Sequence, residues 1–423
     1  MITGDRYKEK LERERSEYQK LERGEKDMIS EKMQPLLHNN SAIRAMFEEG
    51  NKMAADYGRE NVYDFSLGNP SVPAPEAVKQ AILDILEEED SLFIHGYMSN
   101  AGYEDVRETI ASSLNRRFGT DFHQNNILMT VGAASGLNVI LKTLLNPEDQ
   151  VIVFAPYFVE YGSYVRNYDG ELVVISPNTE TFQPNLKEFE ERICEKTKAV
   201  IINTPNNPTG VIYSEETLKA MAEIMEKKAE EMGHPIVLIS DEPYRELAYD
   251  GAVVPFVTKY YRNTVVCYSF SKSLSLPGER IGYLLIPDEM DDGERVFSSA
   301  VIANRVLGCV NAPSLMQRVI KRCVDAEADV ASYDRNRNLL YNGLREAGFE
   351  CVKPEGAFYL FMKTPVEETE FCKKAKEYHI LVVPGSAFAC PGYVRIAYCV
   401  SYEQIERALP AFREIAEFYG LMK

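Results

Sequence analysis

The chain has 423 residues, enough for two domains, and 45% of them are hydrophobic, as in an ordinary globular protein. Its formal net charge of −18 argues against nucleic acid or an anionic membrane as a partner, because both would need a basic surface. No apolar run approaches the roughly 18 residues of a membrane span. The densely charged N-terminus lacks the apolar region of an export signal, so we expect a cytoplasmic protein.

The eight cysteines and five histidines are scattered along the chain. They form no C-x-x-C pair and no H-E-x-x-H motif, which are the spacings typical of metal sites. We therefore expect reduced structural thiols and no bound metal.

The first 27 residues differ from the rest of the chain, because they are rich in Glu, Lys and Arg. Their few apolar residues recur at spacings of three, four and seven, which predicts a charged helical extension with a thin apolar stripe. This helix could be solvated, or it could make a coiled-coil-like contact. Met28 could also be the natural start, with the preceding segment an addition. The stripe consists of Tyr7, Leu11, Tyr18 and Leu21.

From about residue 62 onward, short apolar runs alternate with helical patterns such as 135–145 and 215–231. Buried β-branched runs that alternate with helices predict an α/β fold with a mostly parallel sheet covered on both faces. Seven strands are predicted, at 127–131, 151–155, 172–175, 199–203, 236–240, 265–268 and 281–286.

After about residue 325 the pattern returns to helix, followed by strands near 356–362 and 393–398 and a closing helix from Ser401. This change predicts a second, smaller α+β domain. We expect the small domain to comprise residues 28–69 plus 325–423, and the large α/β domain to comprise residues 70–324.

Polar clusters follow three successive predicted strands, at 203–210, 241–244 and 269–272. In open α/β sheets, ligands bind outside the carboxyl ends of the strands, so these clusters should converge on one site. Each of these residues, taken alone, has a simpler structural interpretation. Lys272 would be a lysine in a surface loop, Asp241 would cap a helix, and Tyr244 would be an aromatic residue packed in the core.

Taken together, the three clusters resemble the motifs of one family. Asn203–Gly210 resembles the N-P-x-N-P-T-G signature of the class I/II aminotransferases, which have fold type I and use pyridoxal 5′-phosphate (PLP). Asp241–Tyr244 resembles their D-x-x-Y, and Ser269–Lys272 with Arg280–Gly282 resembles their S-x-S-K…R-x-G. Order and spacing agree, and the resemblance runs from about residue 30 to the C-terminus.

The resemblance implies roles at the reacting end of the cofactor. Lys272 would carry PLP as an aldimine and shuttle a proton between the substrate Cα and the cofactor C4′. Asp241 would pair with the ring nitrogen and keep it protonated, which makes the ring an electron sink. Asn207 and Tyr244 would hydrogen-bond the phenolic oxygen.

The resemblance also implies how the rest of the cofactor is held. Ser269 and Arg280 would bind the phosphate, together with the cup Gly132-Ala133-Ala134 at a helix N-terminus. Phe158 would stack on the ring, where many members carry tryptophan. Tyr97 would reach the phosphate of a neighbouring subunit, which implies a homodimer with shared sites.

Substrate contacts follow from the same resemblance. Arg395 would grip the α-carboxylate of the substrate, and the backbone of Gly68 and the side chain of Asn207 would lie beside it. Arg305 lies near the position of a second basic residue in dicarboxylate-specific members, but a surface arginine explains it equally well.

These motifs predict a PLP-dependent aminotransferase that moves the amino group of an L-amino acid to a 2-oxo acid. A carbon–sulfur β-lyase would use the same residues, and a non-catalytic PLP-binding regulatory protein is a second alternative. An NAD-binding Rossmann protein is excluded, because no G-x-G-x-x-G follows the first strand.

Overall fold

The computed structural model of the chain describes residues 28–34, 36 and 42–422. The chain divides into two compact units, residues 1–41 and residues 42–423. In the described part of the first unit, the Met33 N–H donates to the Ser30 carbonyl at 2.9 Å and closes a turn. The helical extension predicted for residues 1–27 lies outside the described residues.

The second unit contains twelve strands among its described residues. In chain order they are β1 (Tyr63–Asp64), β2 (Ile127–Thr130), β3 (Gln150–Phe154), β4 (Glu171–Ile175), β5 (Thr197–Asn203), β6 (Val237–Asp241), β7 (Thr264–Ser269), β8 (Gly282–Leu285), β9 (Tyr359–Lys363), β10 (Ile380–Leu381), β11 (Val383–Pro384) and β12 (Tyr393–Ala397).

Its described helices are named in the same way. They are α1 (Ala42–Tyr57), α2 (Glu76–Glu88), α3 (Ser91–His95), α4 (Glu104–Phe118), α5 (Gly132–Leu144), α6 (Glu160–Asn167), α7 (Leu186–Arg192), α8 (Glu215–Met232), α9 (Phe270–Ser273), α10 (Gly293–Val306), α11 (Ser314–Cys323), α12 (Val330–Glu346), α13 (Glu368–Glu377) and α14 (Tyr402–Phe418). In the described part of the chain, none of these helices is both long and apolar enough to cross a membrane.

Seven strands form one sheet in the order β2-β8-β7-β6-β5-β3-β4. Strand β8 is antiparallel to β2 and β7, and the other neighbours are parallel. The predicted seven-stranded, mostly parallel sheet is therefore confirmed. Both faces are covered, because Ile201 packs in one cluster with Leu141 of α5, whereas its neighbour Val200 packs with Met221 of α8.

The helices predicted at 215–231 and from Ser401 are present as α8 and α14. The Ser214 side chain caps α8 by accepting the Thr217 N–H at 3.1 Å, and Gly233 ends that helix in the left-handed conformation that glycine adopts without strain. Ser401 caps the closing helix α14 in the same way.

The C-terminal part carries a second sheet of order β11-β12-β9, which is antiparallel throughout. Its core joins Phe65 to side chains of α12, β12 and α14, among them Leu340, Ile396 and Phe412. Residues near position 65 thus pack with residues beyond 325. The domain boundaries given above stay a prediction.

Candidate active site

A cavity of about 290 Å³ opens at the carboxyl ends of β5, β6 and β7. The last residues of these strands, Asn203, Asp241 and Ser269, all line it. Of the candidates considered from the sequence, Gly132, Tyr97 and Arg305 are missing from the lining. The predicted residues that line it are Gly68, Ala133, Ala134, Phe158, Asn207, Asp241, Tyr244, Ser269, Lys272, Arg280 and Arg395.

Asp241 is a buried carboxylate with one unpaired oxygen. The Tyr161 hydroxyl donates to its Oδ2 at 2.6 Å, whereas its Oδ1 has no hydrogen-bond partner although it is buried. The pKa of Asp241 is raised to about 7, chiefly by burial and also by the charge of Glu242, while the hydrogen bond from Tyr161 acts in the opposite direction. A cationic N–H donor in the cavity would satisfy Oδ1 and stabilise the ionised form.

The loop after β5 is held to β6 by its own amide side chains. Asn203 Nδ2 donates to the Asp241 carbonyl at 2.8 Å, and Asn203 Oδ1 accepts the Asn207 N–H at 2.7 Å. Asn206 Oδ1 accepts from both the N–H and the hydroxyl of Thr209, at 3.2 and 2.8 Å. These bonds place the side chain of Asn207 in the cavity wall beside Arg395.

Lys272 lies on α9, the one-turn helix that directly follows β7. Its Nζ donates to the Gly68 carbonyl at 2.8 Å and lies 5.2 Å from the centroid of the Phe358 ring. The pKa of Lys272 is lowered to about 8, chiefly by burial and also by the charges of Arg280 and Arg395, while Cys399 acts in the opposite direction. Near neutral pH this amine is deprotonated far more often than a surface lysine, as a nucleophilic amine must be.

Another part of the cavity wall consists of Arg280 and the first residues of α5. Arg280 Nη2 donates to the Val131 carbonyl at 3.3 Å, and Nη1 donates to the Ser271 hydroxyl at 3.5 Å. Gly132 begins the helix at φ +79°, and a Cβ built there would lie 2.8 Å from Arg280 Nη2. Helix N–H groups, a guanidinium and two serine hydroxyls together suit a phosphate.

Replacing Gly132 by alanine should weaken PLP binding by roughly ten- to a hundredfold, because the new methyl group would displace Arg280 from the predicted phosphate site. The measurement is the dissociation constant of PLP. Gly119→Ala is the matched control: Gly119 also has a positive φ, +64°, but nothing lies within 4 Å of its Cβ position. Equal PLP affinities in the two variants would contradict the predicted phosphate cup.

Arg395 is fully buried on β12, and its guanidinium is clamped from several sides. Nη1 donates to Asn207 Oδ1 at 3.0 Å, and Nη2 donates to the Ser66 carbonyl at 2.5 Å. Its Cζ lies 4.5 Å from the ring centroid of Tyr359 and 4.9 Å from that of Phe388. Burial lowers the pKa of Arg395. Its Nε is buried without a partner, so an anion arriving at this wall would compensate a desolvated cation.

Three residues of the site were not predicted. Tyr161 holds Asp241, Tyr359 contacts Tyr244 and Arg395, and Ser271 lines the cavity and accepts from Arg280. Ser271 was visible as the second serine of S-x-S-K. No sequence motif indicated Tyr359. The only indication of Tyr161 was its spacing of three residues from Phe158.

Two candidates lie away from the cavity. Tyr97 is 94% exposed, on the segment that follows α3. Arg305 is exposed near the end of α10 and is not part of the lining. Within one chain, neither residue reaches the site.

The remaining residues fit PLP on structural grounds. Asp241 Oδ1 is a buried acceptor suited to the ring N–H, Lys272 offers an amine for the aldehyde, and the wall around Arg280 offers donors for the phosphate. Together with the seven-stranded sheet, this arrangement defines a PLP enzyme of fold type I.

Comparison with known proteins specifies the class further. The model of the family "Aminotransferase class I and II" matches residues 60–412, and the chain belongs to this family. It is a PLP-dependent aminotransferase.

Individual relatives agree with this assignment. A solved aminotransferase from Eubacterium rectale is 49% identical, with a TM-score of 0.91, and the match covers 93% of this chain and 100% of that one. The aspartate aminotransferase of Thermotoga maritima is 32% identical over 83% of this chain and 90% of its own length. Aromatic-amino-acid aminotransferase 2 of Thermococcus litoralis is 30% identical over 89% and 96%.

Proposed function

We propose that transamination takes place in the cavity around Lys272, with an L-amino acid as donor and a 2-oxo acid as acceptor. The observation that carries this assignment is the buried, unpartnered Oδ1 of Asp241, which lines the same cavity as the Lys272 amine. With PLP bound, Asp241 would keep the ring nitrogen protonated, and the cofactor would supply an electron sink for the bond broken at the substrate Cα.

Each side chain has a task that its contacts support. Lys272 Nζ would move the proton between the substrate Cα and the cofactor C4′. Arg395, whose Nε has no partner, would hold the α-carboxylate and so orient the substrate for the reaction. Because Asn207 Oδ1 accepts from Arg395, the Nδ2 of Asn207 remains as a donor and, together with Tyr244, would bind the ring oxygen of the cofactor.

The donor class is drawn from the relatives, which are named for aspartate and for aromatic amino acids. We propose that one of these two classes is the preferred donor. Lys272, Arg280 and Arg395 are the cationic side chains that line the described cavity, and the roles above engage all three. A second carboxylate on the substrate would therefore require a cation from outside this chain's cavity wall.

The test is a visible absorption spectrum of the purified protein with PLP, repeated with aspartate, glutamate, tyrosine and phenylalanine. A donor that converts the visible band to the pyridoxamine form, and whose amino group then appears on an added 2-oxo acid, supports the proposal. Pyruvate and ammonia released from cysteine or cystathionine without an acceptor would favour the β-lyase. A protein that PLP cannot reconstitute would overturn the site.

We further propose a homodimer in which Tyr97 reaches the phosphate site of the neighbouring subunit. Its 94% exposure supports this role, because a tyrosine ring in water has no partner to stabilise it. Other large apolar side chains nearby in sequence or on α10 are also exposed, as is common at protein interfaces. They are Leu92, Phe93, Ile302 and Val306.

Mixing two impaired variants should raise the activity if sites are shared between subunits. Tyr97→Ala and Lys272→Ala would each be impaired alone, but a mixed dimer would contain one intact site and one doubly altered site. After subunit exchange at equal concentrations, we expect about a quarter of the wild-type activity. Turnover is measured before and after exchange, and two portions of Lys272→Ala mixed together are the control. No recovery from a verified heterodimer would place Tyr97 outside the partner's site.

We also propose a cytoplasmic location. It is supported by the eight cysteines, all of them unpaired, of which Cys267, Cys323, Cys390 and Cys399 are buried. Thiols of this kind persist in reducing compartments.

A further inference from the structure

Tyr359, the first residue of β9, contacts three of the predicted site residues with one side chain. Its Oη lies 3.0 Å from the Tyr244 Oη, and the two rings meet edge to face at 81°. Its ring lies 4.5 Å from the Arg395 Cζ. Its hydroxyl also occupies the space beside Gly68, since a Cβ built on that glycine would lie 1.9 Å from the Oη.

The hydrogen between the two tyrosine oxygens can be assigned by counting donors. A hydroxyl carries one hydrogen and can accept two bonds. When Tyr244 donates its hydrogen to the cofactor's ring oxygen, the hydrogen between the two Oη atoms must come from Tyr359. In a chain of this kind each bond polarises the next, so donation by Tyr359 makes Tyr244 the stronger donor.

The ring of Tyr359 has a separate task. Together with Phe388 it encloses the guanidinium of Arg395, whose two Nη atoms are bonded to Asn207 and Ser66. An aromatic face over a buried cation stabilises the cation and restricts its orientation. The hydroxyl of Tyr359 therefore acts through Tyr244 on the cofactor oxygen, whereas its ring acts through Arg395 on the substrate carboxylate.

We propose that Tyr359 is a positioning residue for transamination: its hydroxyl donates to Tyr244, and its ring holds Arg395 for the substrate carboxylate. The inference rests on the proposed function, because it takes the roles of Tyr244 and Arg395 from it. Tyr359 is fit for this task near neutral pH, since burial raises its pKa to about 12 and keeps the hydroxyl protonated. The charged or titratable groups that face the two tyrosines include Tyr161, Asp241, Arg395 and Cys399.

Two substitutions separate the two tasks. Tyr359→Phe removes the hydroxyl and keeps the ring under Arg395, whereas Tyr359→Leu removes both. The first readout is the pH midpoint of the visible absorption band of the PLP-loaded protein. A hydrogen bond donated to the ring oxygen stabilises the form that has lost the proton in this titration. A weaker donor therefore raises the pH midpoint.

For Tyr359→Phe we expect the midpoint to rise by roughly 0.3–0.5 pH unit, while KM for the amino donor changes by less than about twofold. For Tyr359→Leu we expect the same rise, together with a roughly three- to tenfold higher KM, because Arg395 loses its aromatic support. In a Tyr244→Phe background, Tyr359→Phe should produce no further shift, because the hydroxyl acts through Tyr244.

Tyr261→Phe is the matched control, because Tyr261 is equally buried and donates to the Ile236 carbonyl at 2.7 Å, outside the cavity lining. It loses one buried hydrogen bond, and the midpoint should not move. An unchanged midpoint in Tyr359→Phe, or an equal shift in the Tyr244→Phe background, would overturn the inference. A wild-type protein that forms no visible band with PLP would instead overturn the proposed function, whereas a wild-type band that does not titrate would overturn the inference, so the two failures are distinguishable.

Discussion

Replacing Lys272 by alanine should lower turnover of every amino donor by roughly a thousandfold, because the variant loses the group that moves the proton. The fold should persist: Lys272 makes one hydrogen bond, to the Gly68 carbonyl, and its removal exposes no buried charge. Burial already lowers the pKa of this lysine to about 8, so the substitution removes a desolvation cost along with the amine.

The measurement combines turnover with the chemistry of attachment. Borohydride reduction of the wild-type holoenzyme should leave the cofactor's mass on the peptide that contains Lys272, and the same treatment of Lys272→Ala should leave none. Lys187→Ala serves as the control, since Lys187 is exposed on α7 and outside the cavity. Undiminished turnover in Lys272→Ala, or the mass found on another peptide, would contradict the assignment.

The sheet and the strand-end positions of the site could be predicted because their signals are local. A short run of buried β-branched residues identifies each strand, and the residue that follows it must lie at the sheet's edge. Asn203, Asp241 and Ser269 end three neighbouring strands, and the register pairs Asn203 directly with Asp241. Their convergence therefore follows from the strands alone.

The supporting residues could not be predicted, because their contacts join distant parts of the chain. Tyr161 reaches Asp241 across 80 residues, and Tyr244 meets Tyr359 across 115. The sequence spacing of a buried tyrosine is explained equally well by core packing. It does not indicate which residue of another helix or sheet the tyrosine hydroxyl will contact. Arg395 was identified through its resemblance to a family motif, and its bond to Asn207 spans 188 residues.

The second large effect concerns Asp241. In the cofactor-free protein, burial raises its pKa to about 7 from an ordinary value of 3.8. A carboxyl group whose pKa is raised by folding favours the folded state below its unfolded pKa, and this contribution is lost as pH rises toward the folded pKa. Between pH 4 and about 7, the cofactor-free wild type should therefore lose stability relative to Asp241→Asn, which stays neutral.

Binding of PLP should make the wild type more stable than Asp241→Asn. A protonated ring nitrogen at Oδ1 makes the buried charge of Asp241 favourable, whereas asparagine offers the ring no charge, so the loaded wild type should melt above the loaded variant at pH 8. Thermal midpoints of both proteins, with and without PLP, measure the reversal. Asp241→Asn should also lower turnover by roughly 10²–10³-fold, because the ring nitrogen is no longer held protonated.

A further substitution tests whether the carboxylate at position 241 must be oriented by Tyr161 in addition to being charged. The Tyr161 hydroxyl holds Oδ2 at 2.6 Å and leaves Oδ1 to the cavity, so Tyr161 fixes the direction of the carboxylate in addition to favouring its ionised form. Asp241→Glu keeps the charge but moves the oxygens by a methylene group. If charge alone mattered, this variant would recover most of the lost turnover and restore the higher melting temperature with PLP. We expect it to restore the stability order but only part of the turnover, because the ring is then paired with a carboxylate that Tyr161 no longer orients.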